Sequence, residues 1–224
     1  MALILNIETT TTNCSVSLSK EGETLLLKED YSNNYSHAER LHVFIESLLK
    51  EAKINKSELD AIAVSKGPGS YTGLRIGVSA AKGLCFALDI PLISVSTLEA
   101  LAYQVKAKSG IIVPMLDARR MEVYSAVFSA SYKMLRSIEA QILDESSFSE
   151  YLKSETVYFI GNGVEKTKTL INNDKAVFIE GKLPSANEMS ILAYIKYKKS
   201  DTEDVAYFEP YYLKDFVALK PKSK

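Results

Sequence analysis

Apolar and polar residues alternate with two different periods along this chain, and the switches between them mark out its elements. Short runs at Ala2–Ile7, Cys14–Ser19 and Glu23–Lys28 read as strands, with Glu21-Gly22 as the second turn. Leu41, Ile45, Leu48, Leu49 and Ala52 then recur at helical spacing, and Phe44 widens the stripe. Ser36 and Glu39 form a capping box at the start of that helix. Leu59 and Ala61–Val64 read as a buried strand, after which Leu74, Val78, Ala81 and Cys85 trace a second helix with Lys82 on another face. Pro91–Val95 is the next strand, and Ser96 with Glu99 caps a third helix. The opening half therefore reads β-β-β-α-β-α-β-α.

The polar patch Lys106–Gly110 marks a boundary, and the same pattern then restarts. Strands are expected at Ile111–Leu116, Glu122–Phe128 and after Ala130, followed by a helix at Ser147–Lys153 and a strand at Thr156–Ile160. A Gly161-Asn162-Gly163 turn, a helix near Glu165–Ile171, a strand at Ala176–Glu180 and a helix capped by Ser185 and Glu188 complete the series. Two halves that each open with a β-meander followed by α/β units predict a duplicated α/β architecture, similar to the actin-like ATPase (ribonuclease H-like) fold. The expected division is a first lobe over 1–105, a second over 110–205 and a C-terminal segment over 206–224. The stretch after Pro210 is expected to pack back on the body, and the end Lys220–Lys224 to be disordered.

Composition narrows the function. A chain of 224 residues with a net charge of −1 carries no global basic field, so contact with RNA needs a local patch or a partner's surface. Cys14 and Cys85 lack metal-ligand spacing and lie in apolar segments, which predicts buried free thiols in a reducing cytoplasm. The N-terminus has no basic leader and reads as a strand, and no apolar run is long enough for a bilayer.

The candidate chemistry centres on Lys66-Gly67-Pro68-Gly69-Ser70-Tyr71-Thr72-Gly73-Leu74-Arg75-Ile76-Gly77, which a strand enters and a helix leaves. Gly67 and Gly69 permit positive φ, and the N–H groups of Ser70 and its neighbours can hold an anion or dock against another chain. This string resembles the signature of the TsaB (YeaZ-like) family, and four other segments agree in order. They are Leu5-Asn6-Ile7-Glu8-Thr9-Thr10, His37-Ala38-Glu39-Arg40-Leu41, Met115-Leu116-Asp117-Ala118-Arg119-Arg120-Met121-Glu122-Val123-Tyr124 and Pro210-Tyr211-Tyr212-Leu213. The resemblance implies the non-catalytic partner in threonylcarbamoyl-adenosine modification of tRNA, paired with a catalytic TsaD subunit and joined by a small ATPase, TsaE. It implies no cofactor or metal on this chain, pairing either with a second copy or with TsaD, and tRNA reached through the complex.

Three catalytic readings were open to the residues. In actin-like kinases two hairpins grip phosphates; here the first carries Glu8, Thr9, Thr10 and Thr11, whose hydroxyls suit either a phosphate or a plain turn. The second carries Asp117, Arg119 and Arg120, and bulky arginines there obstruct close backbone approach. Pairing with Glu8 or Glu122 at a salt-bridged lobe junction, or a reach across an interface, is expected of them instead. The catalytic relative carries a His-x-x-x-His metal pair; the matching positions here are Thr97 and Leu101, and a leucine cannot ligate. Ser70 superficially resembles a nucleophile elbow, but the glycine spacing differs and no histidine is positioned for it.

What remains is an interaction surface. The resemblance implies pairing through the first two helices, so His37, Leu41, Ile45, Gly73, Leu74, Gly77, Val78, Ala81 and Lys82 are the candidate interface. Gly73, Gly77, Ala80 and Ala81 strip one side of bulk, which suits either a partner helix or the chain's own sheet. On the first alternative, Gly77→Arg abolishes complex activity without unfolding the chain.

Overall fold

The computed structural model describes residues 2–31 and 37–214, and the expected Ser36 cap and basic C-terminal end lie outside them. The first sheet comprises β1 (Leu3–Glu8), β2 (Cys14–Lys20), β3 (Glu23–Asp30), β4 (Ala61–Gly67) and β5 (Leu92–Ser96). The second comprises β6 (Ile111–Asp117), β7 (Glu122–Ser129), β8 (Met134–Ile142), β9 (Val157–Ile160) and β10 (Ala176–Ile179). Their orders, β3-β2-β1-β4-β5 and β10-β9-β6-β7-β8, are one topology used twice. In each, a three-strand antiparallel meander is extended by two parallel strands. That repeat of a meander with two parallel strands is the duplicated actin-like arrangement that the sequence predicts.

Among the described residues six helices cover the sheets: α1 (His37–Ala52), α2 (Tyr71–Leu88), α3 (Thr97–Ala102), α4 (Ser149–Leu152), α5 (Val164–Lys168) and α6 (Ala186–Lys198). A short 3-10 turn at Lys56–Glu58 precedes β4. Alternation along the strands separates two cores on the first sheet. Leu5, Ile7, Val16, Leu18, Ile62 and Val64 bury against α1 and α2, while Ile4, Ala61 and Ala63 bury against α6.

The face of the first sheet under α6 is unusually polar. Ser17 Oγ donates to Ala186 O at 2.7 Å, Ser15 Oγ accepts from Ala186 N at 3.0 Å, and Asn6 Nδ2 reaches Ser17 and Ser19 at 3.0 Å. These bonds satisfy the hydroxyls that would otherwise oppose burial. Ser185 caps α6, but its side chain accepts from Asn187 N rather than from Glu188 N, so the expected box with Glu188 does not form.

The lobes also exchange helices. Leu98, Leu101 and Ala102 of α3 bury against Ile112, Leu116 and Phe128 of the second sheet, and α6 returns to the first. The junction is completed by Tyr103 stacked on Tyr132 at 4.1 Å, with the Tyr132 hydroxyl donating to Val105 O at 2.9 Å. The segment after α6 then straps the first lobe. Glu203 N donates to Leu92 O at 2.8 Å, Val205 and Phe208 pack on the core, and Tyr211 N donates to Lys66 O at 2.7 Å. Cys14 and Cys85 are buried free thiols, and burial pushes them up to about 11 and about 12. Among the described residues no helix is long and apolar enough to cross a membrane.

Candidate functional site

The threonine turn after β1 and the glycine-rich loop after β4 meet, but they meet each other. Ser70 N donates to Thr10 O at 2.7 Å, and Thr9 Oγ1 donates to Gly73 O at 2.7 Å. A Cβ on Gly69 would sit 2.5 Å from Thr10 Cβ, one on Gly73 2.0 Å from Thr9 O, and one on Gly77 2.3 Å from Thr9 Oγ1. Gly67 lies at φ +112, and its missing Cβ leaves room for the Tyr211 carbonyl of the strap. Ser70 caps α2, its hydroxyl accepting from Gly73 N at 3.3 Å. The N–H groups of Ser70 and Gly73 are thus bonded within the chain, and Thr9, Thr10 and Thr11 are buried. The residues expected to contact an anion, Thr9–Thr11, Gly67, Gly69 and Ser70, are brought together in close packing of the two loops.

Glu8, which would face a nucleotide in a kinase, is buried and committed to the same knot. Its carboxylate accepts from Thr10 N at 2.6 Å, from Thr10 Oγ1 at 2.5 Å and from Ser65 Oγ. Burial is the largest influence and raises its pKa above the ordinary 4.5; the hydrogen bonds from Ser65 and Thr10 act in the opposite direction. A carboxyl whose pKa rises on folding contributes stability that is complete in acid and lost as the pH climbs through the folded value. Wild type is therefore expected to lose stability relative to Glu8→Gln as the pH rises past 4.5. Paired thermal melts across pH check this, and a gap that grows in favour of wild type contradicts it.

The remaining catalytic candidates are likewise structural. His37 Nε2–H donates to Thr11 O at 2.6 Å, burial lowers the pKa of the ring, and His42 stands exposed on α1. Neither serves Ser70. Thr97 donates to Ser65 Oγ at 3.4 Å, and Leu101 is buried in the inter-lobe core.

The candidate interface residues largely face inward. His37, Leu41, Ile45, Gly73, Leu74, Gly77, Val78 and Ala81 are buried within this chain. Lys82 donates to Ala206 O and Phe208 O of the strap, both at 3.0 Å. The small residues of α2 seat it on its own sheet. Its solvent side presents Arg75, Ser79, Gly83 and Phe86, which the inward spacing of Leu74, Val78, Ala81 and Cys85 leaves on the opposite face. Arg75 lies over the Tyr71 ring at 4.4 Å and donates to the Tyr212 hydroxyl at 3.3 Å. Phe86 and, on the strap beside Lys82, Tyr207 are each 85% exposed. A Cβ on Gly83 would meet nothing within 4 Å. On α1, which lies beside α2, the outer face carries Ala38, Glu39, His42, Val43 and Glu46.

Asp117, Arg119 and Arg120 do not form the lobe junction, which α3, α6 and the tyrosine pair build instead. Asp117 pairs with Lys166 at 3.1 Å, Glu122 with Lys214, and Glu8 is sealed away, so among the described residues neither arginine has an ion pair. Arg119 and Arg120 are exposed at the β6–β7 tip with φ of 70° and 51°. The left-handed region costs a non-glycine residue about 1–2 kcal/mol. Lys166, which the sequence did not single out, fixes this tip.

Comparison with known proteins agrees with this architecture. The family model described as TsaD, tRNA N6-adenosine threonylcarbamoyltransferase, matches residues 32–222. The chain is similar to the tRNA threonylcarbamoyladenosine biosynthesis protein TsaB of Bacillus subtilis, 34% identical over 173 residues, covering 76% of this chain and 75% of that protein. The protein of the same name from Escherichia coli is 30% identical over 226 residues, covering 97% of this chain and 96% of its own length. The solved structure of YeaZ from Pseudomonas aeruginosa matches with a TM-score of 0.82 at 28% identity, over 95% of this chain and all (100%) of that one.

Proposed function

The chain belongs to the TsaB (YeaZ-like) family of TsaD-related proteins, and on that premise we propose that it is the non-catalytic partner subunit in tRNA threonylcarbamoyladenosine biosynthesis. It pairs with a TsaD-type catalytic subunit and activates it, by binding the competent conformation more tightly than the others and so raising its population. A TsaE-type ATPase joins the assembly, tRNA is handled by the complex, and a second copy of this chain takes the same face when TsaD is absent.

The observation that carries the pairing surface is the solvent side of α2. Phe86 stands 85% exposed, and Gly83, one turn before it, has open space where its Cβ would be. A glycine inside a helix costs about 1 kcal/mol against alanine, and among the described residues nothing requires it there. Close approach of a partner helix does. The pairing helices are those that the resemblance implies, with the contact on their outer faces rather than through Gly73, Gly77 and Ala81. The sealed threonine turn supports the non-catalytic part of the reading, as do Thr97 and Leu101 where the catalytic relative has ligands. It equally disfavours the kinase and hydrolase alternatives.

Gly83→Ala separates the two roles of that position. The isolated chain is expected to gain about 0.5–1 kcal/mol of stability, while affinity for the catalytic subunit falls, as read by melts and titration calorimetry. Unchanged affinity places the contact elsewhere. The pairing itself is tested by size-exclusion chromatography of the chain mixed with TsaD: co-elution is expected, and separate elution overturns the reading.

A further inference from the structure

We propose that the β6–β7 tip, Arg119 and Arg120, is a direct phosphodiester contact for the RNA substrate. This rests on the tRNA-modification reading above. Both guanidinium groups project from residues held at positive φ, where asparagine or glycine would be easier. The base beneath them is fixed. Lys166 Nζ donates to Asp117 Oδ1 at 3.1 Å and to the Arg120 and Glu122 carbonyls at 2.7 Å, and Arg119 N donates to Asp117 Oδ1 at 2.5 Å. Ala118 N and Glu122 O close the turn at 3.0 Å.

The charge balance of the tip is local and positive, against a chain whose net charge is −1. Lys166 takes Asp117 and Lys214 takes Glu122, so both nearby carboxylates are already neutralised. Neither arginine makes an ion pair among the described residues. Guanidinium groups presented in this way suit phosphate oxygens, which they bind bidentately.

The tip is also linked to the N-terminal end of α2. Tyr212 packs against Tyr71 at the start of α2 with ring centroids 5.1 Å apart, and two residues later Lys214 reaches Glu122. Two residues of chain span at most about 7 Å. The tip is therefore tethered to the N-terminal end of the helix on which the catalytic subunit is proposed to sit.

The test uses the complex with TsaD and measures tRNA binding by fluorescence anisotropy over a range of salt concentrations. Arg119→Asn/Arg120→Gly removes both charges and relieves the backbone, so the variant is expected to melt about 2–4 °C higher than wild type. Its co-elution with TsaD is expected to be unchanged, its tRNA affinity about tenfold lower, and its log–log salt slope reduced by about 2. Arg119→Lys/Arg120→Lys should keep most of that slope. Unaltered affinity and slope in the Asn/Gly variant overturn the proposal. So does loss of co-elution, which would make the arginines a contact for an acidic protein surface. A wild-type complex that pairs but binds no tRNA removes the proposal while leaving the pairing role intact.

Discussion

Replacing Phe86 by lysine is expected to abolish pairing with the catalytic subunit while leaving the isolated chain as stable as wild type. The ring is 85% exposed, so its removal sacrifices almost no packing inside this protein. Position 86 lies in the last turn of α2, which ends at Leu88, and a cation there complements the helix dipole. Surface changes of this kind stay within about 0.5 kcal/mol. Pairing is another matter, because central aromatic anchors of interfaces are worth about 2–4 kcal/mol or more. The variant should therefore bind TsaD at least about thirtyfold more weakly. Calorimetry of the mixed subunits reads that loss, and melting of the chain alone reads the stability. An unfolded variant would mean that Phe86 packs within the chain, and full affinity would mean that pairing uses another face.

Gly77→Arg and Gly73→Ala are expected to do the opposite, losing the fold first and activity with it. The Cβ of Gly73 would lie 2.0 Å from the Thr9 carbonyl, and that of Gly77 2.3 Å from Thr9 Oγ1. Both contacts are with the turn that also seals Glu8, so relief requires moving α2 off its sheet. It also breaks the 2.7 Å bond from Thr9 Oγ1 to Gly73 O. Overpacking of this severity costs about 3–5 kcal/mol. Thermal denaturation should fall by roughly 10 °C. A soluble Gly77→Arg chain with wild-type melting would contradict the buried placement and return that face to a partner.

The order and type of the elements were legible because each strand and helix carries its own period and its own punctuation. The capping serine at 96, the repeated meander and the return of the Pro210 segment were all local or periodic signals, and the structure contains each of them. The side of α2 that faces outward was not legible. Gly73, Gly77 and Ala81 are small and equally suited to a sheet or to a partner, and what assigns them is Thr9, 64 residues away from Gly73 in the chain. Phe86 escaped notice because an apolar residue in a helix is expected to be inside. The arginines of the β6–β7 tip read as ion-paired or as reaching across an interface, and among the described residues the nearby carboxylates pair instead with the distant lysines Lys166 and Lys214. Helix α6 follows the second sheet in sequence yet covers the first, an exchange that only the three-dimensional packing reveals.

The decisive measurement is threonylcarbamoyl-adenosine formation on tRNA by TsaD and TsaE supplied with the threonylcarbamoyl adenylate, with and without this chain. Product formed only when the chain is added, with the chain inert by itself, is the result expected of a non-catalytic activating partner. Equal product without it, or product from the chain alone, would contradict that role.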